Sequence, residues 1–211
     1  MKNLWNSPLM QKLGMLTNLV VLNLLWLLCC IPVVTAGAAT AALYHTVFQY
    51  LTHQDDTIFR PFFRALRQNF KQATLLWLPT LAILALLIFD CLYIAANGGG
   101  ILLAAVIVVS AVLLLLMTHL FPMAARFRMT AGALLRTAFS LTVLHLPATL
   151  LMAVMNAVPV IMLLFAPAVF LRWLPLWTCL WFALIAYLNG KLLLKLWEKH
   201  LPKQEHENAA E

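Results

Sequence analysis

The side chains that could do chemistry in this chain stand inside stretches that are otherwise apolar: Asn18, Asn23, His45, Asp90, His119, His145, Asn156 and Asn189. An ionisable group surrounded by lipid is costly unless it is paired or wetted, so such residues mark where a function would reside. Asp90 is the sharpest of them, because no other carboxylate falls inside an apolar run. His119 lies seven residues before Arg126 and His145 nine after Arg136. At 1.5 Å per helical residue both sit roughly 10–14 Å from the basic edge, close enough to meet. Asp90 lies seven residues before Asn97 and belongs to the opposite half. Two chemistries follow. Asp90, His119, His145 and Asn156 could line a polar cavity, or each could satisfy a neighbouring backbone or hydroxyl group and serve only packing.

Other chemistries lack their residues. Two histidines do not make a zinc site, and neither HxxxH nor HExxH occurs. No GxSxG elbow is present, no carboxylates pair, and Ser7, Ser110 and Ser140 have no partner that would make them nucleophiles. Gly98-Gly99-Gly100 follows no strand and precedes no lysine, so it is not a phosphate-binding loop. Cys29, Cys30, Cys91 and Cys179 contain no CxxC spacing. Their outer-half positions permit a disulfide or a soft metal, but packing is the preferred reading. The chain reads as non-enzymatic, with no cofactor and no metal.

The elements that must position these residues are set by composition. Of 211 residues, 64% are apolar and 10% charged, and the apolar ones fall in long blocks such as Leu75–Ala95, Ile101–Ala124 and Pro175–Leu194. A spanning helix needs about 20 such residues. The expected fold is all-α, a polytopic transmembrane helical bundle in one domain over residues 1–198 with a short polar tail over 199–211. The charge of +7 does not imply nucleic acid, because the basic residues sit in short groups between apolar blocks, where headgroups account for them.

Six spans are preferred, near 13–31, 36–52, 72–95, 101–124, 138–158 and 174–195, with five as the alternative if 36–52 is a surface helix. In the six-span layout every one of the 14 Lys and Arg except Arg172 lies on one side. That side is the cytoplasm, which holds both termini. A cleaved signal peptide is the competing reading of the N-terminus, from Lys2, Lys12 and Ala36-Gly37-Ala38. The apolar run is longer than a usual signal core, and Trp5 and Pro8 resemble an interfacial segment, so cleavage is not expected.

The connections carry further signals. Around Arg60–Gln72, Phe59, Phe62, Phe63, Leu66 and Phe70 recur at spacings of three and four, with Arg60, Arg64, Arg67 and Lys71 on the remaining surface. An aromatic face opposite a basic one suits a cytoplasmic amphipathic helix that touches headgroups or an acidic partner. Trp173 and Trp177 are expected in the outer aromatic belt and Trp197 in the inner one. In Thr35–Ala42 small residues recur four apart, pairing Gly37 with Ala41 and Ala38 with Ala42. Close backbone approach across such a surface drives helix association in lipid, which would make this helix central.

The run Ile31-Pro32-Val33-Val34-Thr35-Ala36-Gly37-Ala38-Ala39-Thr40-Ala41-Ala42-Leu43-Tyr44, followed by Phe59, Phe62, Phe63 and Asn69-Phe70-Lys71-Gln72-Ala73, resembles the YesL-like family of small bacterial membrane proteins. The resemblance covers most of the chain, and its motif describes packing and topology more than chemistry. That family has no assigned reaction and no catalytic residues to carry over. Its members are often encoded beside sugar-uptake ABC transporters and glycan-degrading enzymes. The resemblance therefore implies a multi-pass protein of the bacterial cytoplasmic membrane, associated with carbohydrate uptake.

Two functions remain in view. The preferred one is an accessory or scaffold to a transport system, in contact with the lipid bilayer and an ABC-type sugar permease or other membrane protein, through the basic face and the small-residue helix. The alternative is a small-solute transporter with a cavity at Asp90, His119, His145 and Asn156, its helices interrupted near Pro147, Pro159 and Pro167.

Overall fold

The computed structural model describes residues 8–53 and 57–200. The segment around Trp5 and the tail beyond His200 lie outside the described residues. All regular structure within them is helical: α1 (Pro8–Cys30), α2 (Ala36–His53), α3 (Phe59–Asn97), α4 (Gly100–Arg126), α5 (Ala131–Leu144), α6 (Leu146–Phe165), α7 (Pro167–Arg172), α8 (Leu174–Leu176), a π turn (Trp177–Trp181) and α9 (Phe182–His200).

Local chemistry sets the ends. α1 stops short of Pro32, whose ring disfavours helical backbone in the residue before it. A single 3-10 turn over Val33–Thr35 follows, fastened by Thr35 Oγ1 donating to the Cys29 and Pro32 carbonyls at 2.5 and 2.8 Å. Gly98 ends α3 in the left-handed region at φ 79°, a conformation that costs glycine little. Thr130 caps α5 by accepting from the Ala133 N–H. Between α5 and α6 the helix breaks at His145, φ −116° and ψ 40°. Pro147, two residues on, has no N–H to offer and its ring would strike the carbonyl four residues back.

Five helices among the described residues are long and apolar enough to cross a membrane: Leu13–Cys30, Phe59–Asn97, Gly100–Arg126, Leu146–Phe165 and Leu174–Glu198. This differs from the preferred six-span layout at two places. The segment 36–52 is not among the five, because Thr40, His45, Thr46 and Gln49 dilute its hydropathy. The span expected over 138–158 is split at His145, and α6 supplies the apolar length. The cytoplasmic amphipathic segment is likewise not a separate helix. It is the first part of α3, whose 39 residues run unbroken past Pro79.

α2 occupies the centre. Ala38, Ala39, Ala41 and Ala42 are completely buried, and α1, α3, α4 and α9 all pack around this helix. It is not a surface helix, and its small residues face this chain's own helices rather than a partner. The tightest approach is at Gly37, where an added Cβ would collide with Trp77 Cβ and lie 2.8 Å from Trp77 Cγ and 3.1 Å from the Ala73 carbonyl oxygen. Trp77 cannot swing clear easily, since its Nε1 donates to the Val33 carbonyl at 2.7 Å and its ring meets Phe121 edge-on. Gly37→Ala should therefore push α2 from α3 and lower stability by about 1–3 kcal/mol. A thermal unfolding midpoint in detergent equal to the parent's would show that this contact is not tight.

α1 and α2 form an antiparallel hairpin, with Trp26 Nε1 donating to Thr40 Oγ1 at 3.2 Å. The hairpin turn sits beside Trp77, 20 residues before Asn97 on α3. Along the helix that is about 30 Å. The outer halves of α3 and α4 thus run on together beyond the α1–α2 hairpin as a two-helix arm, with Leu86, Phe89, Leu92, Leu102 and Val108 exposed. In a membrane these side chains meet lipid or another protein.

Candidate functional site

Several polar groups in the bundle fasten one helix to another, while Thr46, Thr80 and Thr142 bond back to carbonyls of their own helices. Asn23 on α1 is completely buried. Its Nδ2 donates to the Thr178 carbonyl at 2.6 Å, and its Oδ1 accepts from the Ala183 N–H at 2.8 Å. A π turn leaves backbone groups out of the regular ladder. Here one asparagine amide, holding both a donor and an acceptor, takes up a carbonyl inside Trp177–Trp181 and an N–H just after it. On α2, His45 Nδ1 lies 2.9 Å from the Ala125 carbonyl of α4. Asn189 on α9 donates to Tyr44 Oη at 3.4 Å.

His119 and His145 are brought together, through a residue the sequence did not single out. His119 Nε2 lies 2.8 Å from Thr149 Oγ1, and that hydroxyl donates to the His145 carbonyl at 3.0 Å. With the hydroxyl proton committed to His145, Thr149 accepts from His119, which assigns the proton to Nε2. Nδ1 is then a bare acceptor, buried and without a hydrogen-bond partner. His119 is 1% exposed and Thr149 0%. The link rivets α4 to the start of α6. Thr149 stands four residues after His145, the spacing at which a threonine hydroxyl reaches back to a carbonyl, and that is the signal by which it could have been found.

Asp90 and Asn156 do not join them. Asn156 is on the exposed face of α6 and donates to the Met152 carbonyl of its own helix at 2.9 Å. Asp90 is half-buried on the outer half of α3, and among the described residues its carboxylate has no hydrogen-bond or ionic partner. A small void between α1, α2 and α9 measures about 10 Å³ and is lined by residues including Met15, Asn18, Leu19, Leu22, Val47 and Tyr187. That is room for a single water at most. None of Asp90, His119, His145 and Asn156 lines it.

The remaining expectations also find their places. The four cysteines are free and half-buried, and among the described residues no three His, Cys, Asp or Glu gather as metal ligands. Pro147 falls at the start of α6 and Pro167 at the start of α7, whereas Pro159 lies within α6 without ending it. Trp173 is exposed, as a belt residue would be, but Trp177 is buried, stacked on Phe170 and edge-on to Trp181. Trp197 packs against Phe48 and Phe127, beneath the Arg126 guanidinium.

Long apolar helices, fastened by single polar contacts around a buried small-residue helix, define a multi-pass, all-helical membrane protein. Residues 19–91, from the middle of α1 through α2 and most of α3, match the family model described as "Protein of unknown function, DUF624". The YesL-like resemblance is consistent with that match, which contains the whole motif from Ile31 to Ala73. No curated protein and no solved structure matches the chain.

Proposed function

We propose that the chain is a non-enzymatic accessory of a transport system in the bacterial cytoplasmic membrane, with both termini in the cytoplasm, and that carbohydrate uptake is the process it serves. The observation that carries this reading is Asp90. Asn23, His119, Thr149 and Asn189, buried in the bundle, are spent on holding helices together, whereas Asp90 stands on the two-helix arm with no partner among the described residues. Intramembrane carboxylates are rare and are paired or wetted. A neighbouring protein's helix that offers a donor at that depth would supply the missing partner.

The topology is supported by the basic residues, all of which except Arg172 fall on one side of the layout. α1 and α2, packed as a hairpin, return the chain to its starting side whether or not α2 meets lipid. Cysteines introduced at Asn3 and Gln204 should react only from the cytoplasmic side, and one at Asn97 only from outside. External labelling at position 3 would overturn this arrangement.

Paired reconstitution tests the accessory role. In sealed vesicles the chain alone should move sugars no faster than protein-free vesicles, and it should change the turnover of a sugar permease complex reconstituted with it. Saturable flux through the chain alone, abolished by Asp90→Asn, would establish the transporter instead.

A further inference from the structure

The first part of α3 presents two stripes that the bundle leaves uncovered. Phe62, Ala65 and Ala73 are completely buried and turned toward α2. At 3.6 residues per turn, Arg60, Arg64, Arg67 and Lys71 point about 170° away from them, directly opposite α2. Phe59, Phe63 and Phe70 project between, on one flank, and are 57%, 45% and 39% exposed. Phe59, Arg60, Phe63, Arg64, Arg67 and Gln68 form one continuous open face of α3.

The length of α3 limits where this face can lie. Its 39 residues span about 58 Å, against roughly 40–45 Å for a bilayer with its headgroups. Upright, the helix would carry Phe59 and Phe63 well out into water. Leaning by about 40°, at the upper end of the range for membrane helices, it fits within the bilayer from end to end. A second observation requires the same lean. α1 is a candidate span with Leu13, Leu16, Leu24 and Leu28 exposed, yet it runs beside α2, which runs beside the basic part of α3. Upright, these leucines and the four cations would stand at one depth. With α3 leaning so that its basic stripe faces the cytoplasm, α2 and α1 stack above it toward the membrane interior, and both surfaces meet the medium they need.

We propose that this face is a binding site for anionic phospholipid, and that α3 crosses the membrane with its first two turns in the cytoplasmic headgroup layer and with Arg67 and Lys71 reaching back toward it. Arg60, Arg64, Arg67 and Lys71 contact the phosphates. Phe59, Phe63 and Phe70 reach sideways to the acyl boundary, as aromatic residues of interfacial helices do. The site goes beyond the accessory role and does not depend on it.

Spin labelling of the full chain tests the proposal. With the four native cysteines replaced by alanine and a nitroxide on Phe63→Cys, the protein is reconstituted into vesicles of phosphatidylcholine with or without phosphatidylglycerol. The label should be shielded from an aqueous nickel relaxant and report headgroup depth when phosphatidylglycerol is present. In the same vesicles the protein should select phosphatidylglycerol over phosphatidylcholine, and each Arg→Gln change should weaken that selection about fivefold. Arg64→Lys should keep it, and 1 M salt should remove it. A label open to the nickel reagent in both vesicles, as on an arm standing in water for a soluble partner, would overturn the proposal. So would a shielded label with no preference between the two lipids.

Discussion

Asn23→Leu should be the most damaging single substitution in the bundle, lowering stability by about 2–4 kcal/mol. The leucine has as many side-chain heavy atoms and leaves no cavity, so the loss combines the stranded hydrogen bonds with some crowding from its bulkier methyl groups. It strands the Thr178 carbonyl and the Ala183 N–H, both of which have Asn23 as their partner. Unpaired backbone groups in an apolar interior cost about 1–3 kcal/mol each. The π turn provides a control, because a turn of this kind amounts to one residue more than the α-helix needs. Deleting Thr178 in the Asn23→Leu background should let the helix close its own ladder and recover roughly half of the loss. Equilibrium unfolding in a fixed detergent mixture measures both. Stability equal to the parent's for Asn23→Leu would mean that the asparagine does not hold the π turn.

Asp90→Leu should do the reverse. The carboxylate makes no bond among the described residues, so its removal leaves none of them unpaired and relieves an apolar helix of a charge. The isolated protein should be unchanged or more stable by about 1–2 kcal/mol, less than the roughly 2.5–3.5 kcal/mol of an acid at mid-membrane, because Asp90 lies nearer the outer end. Asp90→Asn should be nearly silent on stability. In native membranes, by contrast, Asp90→Leu should dissociate whatever complex the chain forms, while Asn retains part of it by hydrogen bonding. A destabilisation on Asp90→Leu, read from the same unfolding curves, would show that the acid is a structural residue bonded inside the bundle.

Much of this was legible in the sequence, for physical reasons that also explain the rest. Long apolar blocks specify membrane helices whatever they pack against, so α1, α4 and the run Leu174–Glu198 fall close to their expected positions. The small residues of 36–42 marked a helix made for close approach, but hydrophobicity counting could not tell a lipid-facing span from a helix enclosed by four others. The break at His145 hung on Pro147, and only the surrounding packing decided whether the chain would kink or stop there. His119 and His145 were close enough to meet, and the His119 ring reaches the His145 carbonyl through Thr149, a residue passed over because a threonine in an apolar run carries no charge to mark it. The Phe and Arg pattern of 59–71 was visible, whereas Phe62 turning inward and the rest remaining outside follow from where α2 lies. Asn23 was one candidate among eight, since nothing in Trp177–Trp181 announces a π turn.

The central claim, that the Asp90 arm meets a partner protein rather than lining a path for solute, is tested most directly by photocross-linking. A benzophenone amino acid in place of Phe89, which is 65% exposed beside Asp90, would be activated in native membranes and its adducts separated by mass. The account predicts one protein adduct of defined size, whose cross-linked peptide is a membrane helix bearing a basic or hydrogen-bond-donating residue, and which Asp90→Leu abolishes. Adducts to lipid alone, identical in the parent and in Asp90→Leu, would contradict it.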